Sequence, residues 1–77
     1  MPFIRVYTYS GRDEEWKKNT AAAIAKAASE AMGPPLTAFT ISVEEVEKEA
    51  WPEEVIHGIV DHIRDSIFFE HGEVVEK

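Results

Sequence analysis

Cysteine is absent from the sequence, so neither a disulfide nor a thiolate metal site can hold this chain together. Basic residues are scarce: eight Lys and Arg stand against 15 Asp and Glu, a formal charge of -7. A surface of that sign repels phosphate backbones and anionic membranes, which disfavours nucleic acid and lipid as partners. No run of about 18 apolar residues occurs, and the amino terminus lacks the charged stretch, apolar stretch and cleavage site of a secretory signal. The expectation is a soluble, cytoplasmic protein.

A large interior is lacking too. A chain of 77 residues buries only about 60% of the surface its unfolded form exposes. Natural chains of this size add disulfides, a metal or further copies of themselves. Without cysteine, association remains, and a homo-oligomer is expected.

What is present reads in order as strand, helix, strand, helix. Residues 2–9, Pro-Phe-Ile-Arg-Val-Tyr-Thr-Tyr, are dense in β-branched and aromatic side chains and run into Ser10-Gly11, a strand and then a turn. Residues 13–32 open with Asp13-Glu14-Glu15, acids suited to the positive end of a helix, and contain the run Ala21 to Ala25, broken only by Ile24. Trp16, Ala23, Ile24, Ala27 and Ala31 recur at helical spacing as a narrow, mostly alanine stripe that permits close approach to a sheet. Gly33-Pro34-Pro35 stops this helix.

In residues 38–46, Phe39, Ile41 and Val43 alternate with Ala38, Thr40 and Ser42, the period of a second strand. Pro52 suits a first helical position, and Val55, Ile56, Ile59, Val60, Ile63 and Ile67 form a helical stripe, predicting a helix over 52–69 with a stop at Gly72. The expectation is an α/β fold in one domain over 1–77: a single βαβ unit with parallel strands, a right-handed crossover and a C-terminal helix. Two strands cannot close a sheet, so oligomerisation is expected to complete it.

Few residues here can carry chemistry. Methionine ahead of a small residue is normally trimmed, which would leave Pro2 with a secondary amine at the chain start. An α-amino group has a pKa of about 8, and apolar surroundings with a nearby cation lower it toward neutrality, where a general base works best. If Met1 is retained, the nitrogen is an amide without useful basicity. Arg12, after Gly11, could grip a carboxylate through its planar fork; on its own it reads first as a solvated loop arginine, since most surface arginines have no catalytic task. His57, His62 and His71 are spaced by five and nine, which does not gather imidazoles on one helix face for a metal, so they read as surface residues. Glu44, Glu45, Glu47 and Glu49 read as a solvated rim.

Met1-Pro2 opening a strand, Gly11-Arg12 closing it, a long helix, and Pro35-Leu36-Thr37 before a second strand together resemble the 4-oxalocrotonate tautomerase family. The resemblance covers residues 1 to about 51. It implies a tautomerase-like fold, half of a β-α-β pseudo-repeat, and a cofactor-independent isomerase. In such an enzyme Pro2 carries a proton between the carbon and oxygen of an enol and its keto form, Arg12 binds and polarises the substrate acid, and Trp51 lines the pocket and keeps it dry. Hexameric members carry a second arginine where this chain has Thr40, and short members end in a glycine-rich hairpin where it has Ala50-Trp51-Pro52 and the helical stripe. The likeness is thus to the longer, dimeric bacterial tautomerases active on enols of 2-keto acids such as phenylpyruvate, with Arg12, Trp51 and Phe39 supplying one carboxylate grip and an apolar pocket. Phe39 also fits a plain core position. Relatives that use protonated Pro2 for hydration, dehalogenation or decarboxylation are the nearest rivals, and a non-catalytic oligomerisation module is the rival from another class.

Overall fold

The computed structural model describes residues 1–77 and resolves the expected βαβ unit. β1 (Phe3–Tyr9), α1 (Glu14–Met32) and β2 (Thr40–Val46) follow one another, with a short 3₁₀ turn at Leu36–Ala38 leading into β2. β1 and β2 pair in parallel, from Phe3 opposite Thr40 to Tyr9 opposite Val46. No helix is long and apolar enough to cross a membrane.

Asp13 caps α1, its Oδ1 accepting the Trp16 N–H at 2.8 Å, with Glu14 and Glu15 in the first turn where the helix dipole favours them. Gly33 ends it by donating its N–H to the Ser29 carbonyl at 2.9 Å. The covered face differs from the expected stripe. Thr20, Ala21, Ile24, Ala25 and Ala28 are half-buried, whereas Ala23, Ala27 and Ala31 are exposed. Alanine lies on nearly every side of this helix, so apolar spacing alone cannot set its rotation. The row Trp16, Thr20, Ile24, Ala28, each four residues on, does so.

Side chains alternate across the sheet. Lys17 of α1 reaches Glu45 at 2.8 Å, which puts Glu45, and with it Ile4, Val6, Ile41 and Val43, on the helix-covered face. The other face carries Phe3, Arg5, Tyr7 and Tyr9 beside Thr40, Ser42 and Glu44.

The chain divides into two compact units, Met1–Glu47 and Lys48–Lys77, and the second corrects the expected helix over 52–69. A π-helical turn at Pro52–His57 gives way to 3₁₀ turns at Val60–His62 and Arg64–Ser66, then to a hairpin of β3 (Phe69–Glu70) and β4 (Glu73–Val74). Gly58 is where the regular helix fails: a Cβ there would meet the Glu54 carbonyl oxygen at 2.5 Å, a tightness only glycine accepts. The β-branched run that follows suits extended backbone as well as helix, and positive φ at both His71 (53°) and Gly72 (81°) is the pattern of a two-residue hairpin turn.

Val55, 6% exposed, is the one buried hydrophobic side chain in the chain. Phe3, Tyr9, Met32 and Leu36 in the first unit, and Ile63, Phe68, Phe69 and Val74 in the second, are exposed.

Candidate active site

Pro2 is half-buried at the entrance to β1, and its carbonyl accepts the Thr40 N–H at 3.2 Å. That bond ties the proline to the start of β2, beside Phe39, which is also half-buried. Met1 ahead of it is 97% exposed. Pro2, Phe39 and Thr40 therefore share one end of the sheet.

Arg12 stands at the other end. The seven residues of β1 put about 20 Å between the two ends at ~3.3 Å per residue, so a single chain does not bring Arg12 to Pro2. Trp51 belongs to the second unit, half-buried just before the turn Pro52–His57.

The surroundings of Arg12 are built from three elements. Gly11 takes φ +108° with open space around it, a conformation L side chains rarely adopt, and turns the chain from β1 toward α1. Glu45 of β2 accepts the Gly11 N–H at 2.7 Å and the Arg12 N–H at 3.1 Å, both on Oε2. The ammonium of Lys17 beside its other oxygen, followed by those two N–H groups, holds the Glu45 carboxyl at a pKa of about 2. The Arg12 guanidinium lies 4.7 Å from the centre of the Trp16 ring, a cation–π contact.

Arg12 is the arginine left without a carboxylate. Arg5 makes a two-pronged pair with Glu44, Nε and Nη2 each 2.8 Å from a carboxylate oxygen, and Arg64 is held by Asp61 at 3.0 Å and Glu70 at 2.7 Å. Among the three arginines of a chain with 15 acids, Arg12 alone is exposed with its guanidinium against an aromatic ring and not against a carboxylate.

Glu47 and Glu49 are exposed, as a solvated rim requires, while Glu44 and Glu45 also hold specific partners. They are consecutive in β2, face opposite sides of the sheet, and are each engaged by a cation. The same contacts bring in Arg5 and Ser42, and give Trp16 and Lys17 of α1 partners that helical spacing alone did not assign. The signal available was strand alternation, which separates adjacent glutamates, together with the four-residue step from Arg12 to Trp16. His57, His62 and His71 are all exposed, and His57 Nδ1 lies 2.8 Å from Asp61.

A family model described as a tautomerase enzyme matches residues 2–54. The chain belongs to the tautomerase family. It is 37% identical over 51 residues to a 2-hydroxymuconate tautomerase of Pseudomonas putida and equally to one of Comamonas testosteroni, the match spanning 66% of this chain and 81% of each relative. Tautomerases are isomerases, so the reaction moves a proton within one molecule. The matched span includes Pro2, Arg12, Phe39, Thr40 and Trp51, and it ends inside the turn Pro52–His57.

Proposed function

We propose that this tautomerase interconverts the enol and keto forms of a small 2-keto acid with a single carboxylate, phenylpyruvate-like, using Pro2 as general acid and base and Arg12 as the carboxylate grip. The guanidinium of Arg12, which has a ring but no carboxylate against it, carries the proposal. Arg5 and Arg64 are both spoken for by carboxylates, so each chain offers one arginine and hence one carboxylate contact. The relatives are named for 2-hydroxymuconate; Thr40 and the single open arginine favour a monocarboxylate here.

Loss of the protruding Met1 turns the Pro2 nitrogen from an amide into a secondary amine. The amine takes the hydroxyl proton of the enol and delivers it to the neighbouring carbon: the O–H bond breaks, the C–H bond forms, and no proton is lost overall. Arg12 binds the carboxylate and steadies charge building on the adjacent oxygen. The Thr40 N–H on the Pro2 carbonyl keeps the amine in one place, and Phe39 supplies apolar surface beside it. Hydration would need a carboxylate free to activate water, and the two glutamates of the β1–β2 sheet, Glu44 and Glu45, are both tied to cations.

With Pro2 and Arg12 at opposite ends of β1, a complete site draws on two chains. Two copies set antiparallel bring the Arg12 of each toward the Pro2 of the other, and a dimer is the smallest assembly that closes this way.

The test is the ultraviolet decay of phenylenolpyruvate, run beside 2-hydroxymuconate, with protein whose intact mass lacks Met1. Pro2→Ala is expected to lower kcat by 100-fold or more, within the ~10²–10⁴ range of general acid–base catalysis, and Arg12→Ala to raise KM. Parental rates in both variants would overturn the roles. A higher kcat/KM on 2-hydroxymuconate than on phenylenolpyruvate would overturn the monocarboxylate assignment alone.

A further inference from the structure

Glu45 sits next to last in β2 on the helix-covered face, where one carboxylate collects three donors: the backbone N–H groups of Gly11 and Arg12 on Oε2 and the Lys17 ammonium on Oε1 at 2.8 Å. Two successive N–H groups converging on one oxygen fix both peptide planes, and so fix the direction in which the Arg12 side chain leaves the backbone. One turn into α1, Trp16 receives the guanidinium on its ring face. Arg12 is thereby held at its backbone and at its tip, while the nearby carboxylate is filled by Lys17 and the backbone instead of by the guanidinium.

We infer that Glu45 is a positioning residue: it aims Arg12 through the backbone of the β1–α1 turn and, being paired with Lys17, leaves the guanidinium charge open to the substrate. The inference rests on Arg12 being the carboxylate grip. A direct Glu45–Arg12 ion pair would consume that charge. Lys17, four residues after the N-cap Asp13, is spaced to prevent it by taking the outer oxygen.

The experiment measures kcat and KM for phenylenolpyruvate in the Met1-free parent, Arg12→Ala, Glu45→Ala, Glu45→Gln, Glu45→Asp and the double variant Glu45→Ala/Arg12→Ala. Arg12→Ala should raise KM about tenfold or more, and Glu45→Ala about fivefold with kcat within about twofold. Glutamine keeps an acceptor oxygen at full reach and should stay within about twofold of the parent, whereas aspartate keeps the charge but falls one methylene short and should resemble Glu45→Ala. The double variant should be no worse than Arg12→Ala, because residues acting through one another are not additive. Equal losses from Glu45→Ala in both backgrounds, or an impaired glutamine beside a normal aspartate, overturn the inference; the glutamine and aspartate pair decides it even if the alanine variant fails to fold. A defective Arg12→Ala beside an unimpaired Glu45→Ala overturns it while sparing the Arg12 grip. A parental KM in Arg12→Ala removes the grip itself, and this role with it.

Discussion

Arg5 grips Glu44 across the two parallel strands with two parallel hydrogen bonds of 2.8 Å, while Ser42 donates its hydroxyl to the same carboxylate at 2.9 Å. One residue on and one face over, Glu45 is bound as fully. Adjacent acids in one strand thus serve two surfaces: Glu44 joins β2 to β1 on the open face, and Glu45 joins β2 to the turn and to α1.

Both carboxyls are held at about 2, Glu44 chiefly by the Arg5 hydrogen bonds and Glu45 chiefly by Lys17. Their folded values lie below the unfolded value of about 4.3. The stability they contribute is therefore complete above about pH 4.3 and is lost as pH falls toward 2. Carboxyl-carbon NMR of the two residues should still show the ionised form at pH 3. Titration near 4.3 instead would mean that neither pairing persists in solution.

Replacing Gly11 by alanine isolates the turn. An added Cβ meets nothing within 4 Å, so the penalty is purely that of the +108° φ, of order 1–2 kcal/mol. Thermal unfolding should register that loss, with a rise in KM as Arg12 is re-aimed. Unchanged stability would show that the turn adopts another conformation without cost.

Val55→Ala removes two carbons from the one buried hydrophobic site and should cost roughly 1.5–2 kcal/mol in urea unfolding, at ~0.8 kcal/mol per carbon plus a cavity contribution. Val74→Ala, where the valine is 67% exposed, should cost much less. Equal losses would reveal that another copy covers the hairpin.

A chain with so little interior should depend on its neighbours. Thermal midpoints are expected to rise with protein concentration, and the solution mass to lie near twice the chain's 8.7 kDa. A mass near six chains would replace the dimer by a hexamer, and a concentration-independent midpoint would count against either.

The first 46 residues were legible because each element there is marked by local chemistry: β-branched alternation in both strands, Asp13 at the helix start, Gly33-Pro34-Pro35 at its end. The rotation of α1 was not, since an alanine-rich helix presents nearly the same surface all round until the sheet chooses a side. The second unit defeated the periodicity argument because Ile59, Val60, Ile63 and Ile67 satisfy a helical spacing without requiring a helix, and because the clash a side chain at position 58 would make with two carbonyls is a property of the fold. For the site, the tautomerase family was readable from short motifs, and the same motifs single out Pro2 and Arg12 as its candidates. The allocation of charges was not: which arginine is neutralised and which is left open depends on strand faces and cross-strand register.

The separation of Pro2 and Arg12 along one strand has a consequence for mixtures. A Pro2→Ala chain still owns a good arginine, and an Arg12→Ala chain still owns a good amine. When the two impaired proteins are unfolded together and reassembled, half the dimers are mixed. In each of these one site inherits both lesions and the other inherits neither, so roughly a quarter of the parental kcat/KM should return from two impaired parents, as a shared two-fold site requires.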